Sequence, residues 1–200
     1  MSTNVITVTR EFGSLGRPIA KMVAEKLGFE YYDRDIIELA AANMGEPVYS
    51  LSEYDDHKVT AYGKMMFPLG FGAAIKQTKL FEIQRNIIVD LAAKKDCVIV
   101  GRCSDFILSQ AKHQNLYNVF IYAPQDARFN YCLKNLGFTQ ESAEKYIQKI
   151  DEARSSFYKK YTGERFDSVR YRNLLVDSSA MPIDRTAELI YFCAKIRFGL

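Results

Sequence analysis

Arg10, Glu11, Gly13, Ser14, Gly16 and Arg17 follow directly on a short apolar run, Val5-Ile6-Thr7-Val8-Thr9. That order reads as a buried strand turning through glycines into a helix. Backbone N–H groups at such a turn point past the helix N-terminus, where the helix dipole favours an anion. The chemistry on offer is phosphate binding. The N–H groups of Phe12, Gly13, Ser14, Leu15, Gly16 and Arg17 are the candidate cradle, with Arg10 and Arg17 to offset the charge. The loop departs from G-x-x-x-x-G-K-[ST], in which a lysine reaches the β/γ-phosphates and a hydroxyl holds Mg²⁺. Its basic residue is Arg17, Pro18 comes next, and no Lys-Ser/Thr pair is present.

The elements that would position this loop alternate along the chain. Pro18 suits a first helical position, Ile19, Val23 and Leu27 line one face, and Gly28 marks the stop. Phe29 to Tyr32 reads as a strand ended by Asp33, and Ile36 to Met44 as a helix. Between 46 and 75 the pattern weakens: Ser50 and Glu53 fit a capping box, but Gly63, Pro68, Gly70 and Gly72 interrupt the helix it would start. A helix fits Lys76 to Lys94. Cys97-Val98-Ile99-Val100 is a continuous apolar strand ending in Gly101-Arg102, as expected for a strand buried on both faces. Tyr117 to Tyr122 is another strand, with a helix from Gln125 to Asn135. Thr139 caps a long polar helix running to about Lys160. Tyr161 to Arg172 is basic and loop-like, Leu174 to Val176 a last strand, and Ile183 to Arg197 a last helix. Strands alternating with helices predict a parallel α/β sheet. Ligands in such sheets bind beyond the carboxyl ends of the strands, which singles out the 10–17 loop, Asp33, Gly101-Arg102, the turn from Pro124 to Arg128, and Asp177.

Composition narrows the field. Two hundred residues suit one α/β domain, and a formal charge of +3 spread along the chain gives no argument for nucleic acid. The four cysteines show no CxxC spacing, so zinc is not indicated and reduced thiols in a cytoplasmic protein are expected. No apolar run approaches membrane-spanning length. His57 and His113 have no partner motif. Some candidates also have ordinary readings: Asp33 can cap the helix after it, Arg128 can pair with Asp126, and Asp151 with Arg154 has the spacing of an i,i+3 helix pair.

The ordered set of motifs resembles the cytidylate kinase-like proteins, a branch of the P-loop nucleoside monophosphate kinases. It comprises the 6–17 segment, Tyr31-Tyr32-Asp33-Arg34-Asp35-Ile36-Ile37, Val98 to Arg102, Phe120 to Arg128, and Lys149 to Arg154. The resemblance implies a three-layer P-loop fold with a parallel central sheet, helices on both faces and a helical lid. It implies one domain over 1–200, an acceptor-binding lobe or mobile insertion at 46–75, and a lid at 155–172. Arg102 and Arg128 match arginines that hold the acceptor nucleotide in the family, and Asp151 with Arg154 match a pair that contacts its base and phosphate. Asp33 falls at an aspartate near the substrate phosphates and is the candidate Mg²⁺ ligand. Arg17, Arg102, Arg128 and Arg154 are then the expected catalytic cations.

Two departures stand beside the resemblance. Aligning Gly13-Ser14 with the family's Gly-Ser places Gly16 at the lysine and Arg17 at the hydroxyl; alternatively Arg17 is the basic residue after a turn one residue longer. In the lid, the arginine four residues before the family's aspartate is Ile147, with Lys149, Lys159, Lys160 and Arg165 as possible substitutes. The expected activity is ATP- and Mg²⁺-dependent phosphorylation of a small acceptor, nominally CMP. The alternatives are a non-catalytic nucleotide- or phosphate-binding module, and a P-loop transferase of another group such as sulfate.

Overall fold

The computed structural model describes residues 2–33 and 71–200. The chain divides into two compact units, Met1–Asp33 with Ile88–Leu200, and Arg34–Ile87. The expected helix at 36–44, the capping box at Ser50 and Glu53, His57, and positions 46–70 of the expected lobe lie outside the described residues.

The strands are β1 (Asn4–Arg10), β2 (Glu30–Tyr32), β3 (Cys97–Val100), β4 (Asn115–Tyr122) and β5 (Leu174–Asp177). The helices among the described residues are α1 (Gly16–Leu27), α2 (Phe71–Lys94), α3 (Ser104–Gln110), α4 (Gln125–Asn135), α5 (Gln140–Thr162) and α6 (Ile183–Phe198). The strands form one sheet in the order β2-β3-β1-β4-β5, and every pairing is parallel. β1 is central, with Ile6 opposite Val98 on one side and Tyr117 on the other. The three-layer α/β reading therefore holds.

Burial explains the arrangement. Ile6 and Val8 of β1 join Ile19, Ala20, Val23 and Ala24 of α1 and Ala187, Ile190 and Ala194 of α6 in one apolar cluster. The small residues let both helices lie close on the sheet. On the alternate positions of β1, the Thr7 hydroxyl donates to Asn118 Oδ1 at 2.6 Å, so a buried polar pair is satisfied inside the sheet. Cys97, Cys103 and Cys132 are buried thiols, pushed up to about 12, 12 and 11 by loss of solvent, and so are poor nucleophiles.

Several element boundaries differ from the sequence reading. α1 starts at Gly16, two positions before Pro18. α2 starts at Phe71 and runs through Gly72, because a single helical glycine costs only about 1 kcal/mol and the rest of the segment favours helix. α3 goes unread in the sequence; it is a short stretch of helix just after the strand end. Thr139 caps α5 as expected, accepting from the Ser142 N–H.

Gly101 has φ +77°, and a Cβ there would collide with Nη1 of Arg10. Gly137 has φ +68° but nothing within 4 Å of such a Cβ. Gly101→Ala and Gly137→Ala are expected to lose similar stability, roughly 1–2 kcal/mol, in urea denaturation, because both incur backbone strain and the guanidinium that a Cβ at 101 meets is the end of a flexible side chain that can move aside. A loss at Gly101 larger by more than about 2 kcal/mol would show that the Arg10 guanidinium cannot yield.

Candidate functional site

The carboxyl ends of β2, β3 and β1 lie side by side, and their charges are organised across all three. Arg10, the last residue of β1, sends its guanidinium over Gly101 beyond β3. Its Nη2 reaches Asp33 Oδ1, beyond β2, at 3.6 Å. Arg17, in the first turn of α1, contacts the other carboxylate oxygen through Nε. Asp33 is 8% exposed and so holds two cations in a nearly dry setting. Gly16 is the second glycine this arrangement needs: a Cβ there would sit 2.5 Å from Cβ of Arg10.

The loop between β1 and α1 is strained and open to an anion. Gly13 has φ +78° and lies against the backbone of Arg128, where a Cβ would come within 3.1 Å of Arg128 Cβ. Leu15 has φ +58°, a conformation that costs a non-glycine residue about 1 kcal/mol or more. Among the described residues no protein oxygen accepts from the N–H groups of Gly13, Ser14, Leu15 or Gly16. These donors lie at the N-terminal, positive end of the α1 dipole. Ser14 is fully buried, and its hydroxyl donates to the carbonyls of Glu11 at 3.0 Å and Ile121 at 3.1 Å. It contributes a backbone donor and no side chain.

Among the described residues no set of side chains is arranged to hold a Mg²⁺. Asp33, the expected ligand, is engaged by both arginines. The Ser14 hydroxyl is turned inward, and the described residues contain no group of three or more His, Cys, Asp or Glu side chains able to hold a metal.

Arg128, Asp151 and Arg154 meet at one place, which is the backbone of residues 10–12. Asp151 Oδ1 accepts from the Phe12 N–H at 2.8 Å, and its other oxygen pairs with Arg128 Nη1. That nitrogen also donates to the Phe12 carbonyl at 3.3 Å. Arg154 donates to the Arg10 carbonyl at 3.0 Å, and its guanidinium lies 5.9 Å from the Phe12 ring centroid. Glu11 accepts from the Ala123 N–H at 3.2 Å and lies 3.6 Å from Arg128 Nε. Its carboxyl is raised by burial, against the lowering pull of that hydrogen bond and of Arg128. The Phe12 N–H is thus filled by a carboxylate, and the ordinary pairings of Arg128 with Asp126 and of Asp151 with Arg154 give way to contacts with the loop. Ile147, where the family pattern has an arginine, is 4% exposed and packs with Cys132, Leu136 and Ala143 between α4 and α5.

Arg102 stands on a second strained turn. Gly101, Arg102 and Cys103 are three consecutive residues with positive φ, at 77°, 56° and 56°. Among the described residues Arg102 makes no ion pair and no side-chain hydrogen bond. The turn is fastened from below by Asp105, which the sequence reading missed. Asp105 accepts from Tyr158 at 3.0 Å and Thr9 at 3.4 Å and pairs with Arg172, both side chains being about 1% exposed. Arg172 lies between the rings of Phe120 and Tyr158, 5.3 and 5.2 Å from their centroids, and burial lowers its pKa to about 10. An aspartate in the otherwise apolar and neutral stretch Ser104–Gln110 was the available sequence signal.

The expected lid at 155–172 comprises the end of α5 and the loop after Gly163. That loop is anchored by Arg172 and by Phe166, whose ring meets Phe120 and Tyr158 at 5.7 and 5.8 Å. Lys149, Lys159, Lys160 and Arg165 are exposed, and Arg165 pairs with Asp167 on the surface. His113 bonds the Thr3 carbonyl at 2.8 Å, a structural contact.

Residues 5–180 match the cytidylate kinase-like family, and the chain belongs to it. No curated protein matches the chain. An uncharacterized protein from Eubacterium ventriosum is 20% identical with a TM-score of 0.71, the match covering 96% of this chain and 99% of that one. Shikimate kinase from Bacteroides thetaiotaomicron is 14% identical with a TM-score of 0.55, covering 96% and 98%. A sugar kinase from Janibacter sp. is 13% identical with a TM-score of 0.53, covering 95% and 93%. At these identities the likeness is one of fold, the P-loop kinase fold. Among the described residues no helix is long and apolar enough to cross a membrane.

Breaking the buried pair on one side strands a charge without solvent. Asp105→Ala is expected to cost about 3–5 kcal/mol in urea denaturation, and Asp105→Leu combined with Arg172→Met to recover most of it. A loss below about 1 kcal/mol would place the pair in solvent.

Proposed function

We propose that the chain is an ATP-dependent phosphotransferase of the nucleoside monophosphate kinase type, acting on a small phosphorylated acceptor, nominally CMP. The observation that carries this reading is the row of unfilled N–H groups from Gly13 to Gly16, set before the α1 dipole. Arg10 and Arg17 stand beside it. Membership of the cytidylate kinase-like family supports it. The cytoplasm, where ATP is found and thiols stay reduced, is the compartment the reading implies.

Phosphoryl transfer depends on positioning and on neutralising charge at the transferring group. In this reading the loop N–H groups hold the β- and γ-phosphates of ATP, and the strand-end arginines offset their charge. Arg102, without an internal partner among the described residues, is the cation that meets the acceptor phosphate and the transferring group. Its strained turn fixes the backbone position from which the side chain reaches out. Arg128, Asp151 and Arg154 act on the backbone of 10–12 and set the loop's shape. Mg²⁺ accompanying the nucleotide is carried by the phosphates, since the protein offers it no set of ligands among the described residues.

The missing lysine–hydroxyl pair and the poor fit to Mg²⁺ favour a second reading, a module that binds nucleotide without turning it over. A coupled ADP-release assay with Mg-ATP against nucleoside monophosphates and other small phosphorylated or hydroxylated acceptors separates the two. Turnover with an acceptor is expected. Arg102→Ala should lower kcat/KM for that acceptor by about 10²–10³-fold while leaving ATP binding intact. ATP binding that saturates without product on any acceptor would replace the first reading by the second.

A further inference from the structure

The side chain of Arg10 occupies the start of α1 as well as the end of β1. A Cβ on Gly16 would lie 2.5 Å from Cβ and 3.0 Å from Cγ of Arg10, and the far end of the same side chain lies over Gly101. Position 16 is therefore closed to any side chain while position 10 carries a Cβ, because close-packed atoms cannot share that volume. Position 16 is also where alignment on Gly13-Ser14 places the lysine of G-x-x-x-x-G-K-[ST]. The glycine there leaves room for a cation that arrives from the neighbouring strand.

The other basic residue of the loop is directed elsewhere. Arg17 is 41% exposed along its side chain and meets Asp33 through Nε, whereas Arg10 is 16% exposed. The less solvated charge acts more strongly on a nearby anion. Asp33, at 3.6 Å, holds the Arg10 guanidinium over the strand ends. We infer that Arg10 is the triphosphate-binding cation of this loop, standing in space for a lysine at position 16. The ligand class is a polyphosphate, gripped by a planar guanidinium through paired hydrogen bonds where a lysine would offer a point charge. The inference rests on the reading that the loop takes the donor nucleotide.

Exchanging the cation between the two positions tests this. Calorimetric titrations of the full chain with ATP, and separately with pyrophosphate, would compare wild type, R10A, R10G, G16K, R10G/G16K and R17A, with thermal melts to report folding. R10A is expected to bind about 10- to 100-fold more weakly, the effect of losing a charge-assisted hydrogen-bonding group. G16K alone should disrupt the loop by collision with Arg10. R10G/G16K, which removes the Cβ at position 10 together with the charge, should regain affinity over R10G, which a merely structural role for Arg10 would not produce. R17A should lose less than R10A. Wild-type affinity in R10A, a folded R10G/G16K binding no better than R10G, or a larger loss in R17A would each overturn the inference. Should R10A fail to fold, R10M keeps the packing over Gly16 and removes the charge; wild-type affinity in R10M would overturn it equally. If wild type binds pyrophosphate but not ATP, the nucleotide reading falls and the same variants decide the role of Arg10 with pyrophosphate. If wild type binds neither, both fall.

Discussion

Arg10 crosses the carboxyl end of β3 to reach Asp33, and the surrounding strand ends are shaped by that crossing. Gly101 and Gly16 are the two points where its side chain passes another backbone too closely for a Cβ. Arg17 closes on Asp33 from the first turn of α1. Two guanidiniums converge on one nearly buried carboxylate at the mouth of the loop. A doubly or triply charged phosphate is the kind of ligand such a pair of cations would meet. The same constraint leaves each Asp33 oxygen beside a guanidinium, which sets it at odds with the expected role of a Mg²⁺ ligand.

The loop is held from behind by a second set of contacts. α5 presents Asp151 and Arg154 to the N–H of Phe12 and the carbonyl of Arg10, and Arg128 of α4 ties Asp151 to the same backbone. A third fastening, Asp105 with Arg172, lies under the strained turn that carries Arg102. The arginines thus divide by contact. Arg128 and Arg154 bond the backbone of residues 10–12, Arg172 pairs with Asp105, Arg10 and Arg17 share a carboxylate at the loop mouth, and Arg102 makes no internal ion pair among the described residues. Of the four residues other than glycine with positive φ among the described residues, Leu15, Arg102 and Cys103 lie next to the candidate phosphate site, and Lys112 follows the end of α3.

Much of the fold is legible because its signals are local. The apolar run Cys97–Val100 and the segment Gln125–Asn135 after Pro124 keep the boundaries their residues suggest, and Thr139 caps the helix it precedes. Glycine misleads at α2, where Gly72 sits inside the helix, since its penalty is small beside the propensity of a long segment. The site is legible only as a collection of residues. Arg128, Asp151 and Arg154 stand out through the family pattern, but their contacts with residues 10–12 join positions more than a hundred apart in the chain and leave no local spacing to read. Likewise Gly16 looks like a lost lysine until Arg10 is seen to fill its place. Asp105 stands out in sequence only as the one charge in its stretch, and burial gives its pair with Arg172 its meaning.

The central claim is that the strand ends and the 13–16 loop bind phosphate groups, with the base and sugar secondary. Calorimetric titration of the intact chain with ATP, ADP, AMP and adenosine under one salt condition tests it most directly. Affinity falling steeply with each phosphate removed, and weakening as salt is raised, is the predicted result. Equal affinity across the four ligands, or tighter binding of adenosine than of ATP, would contradict the account.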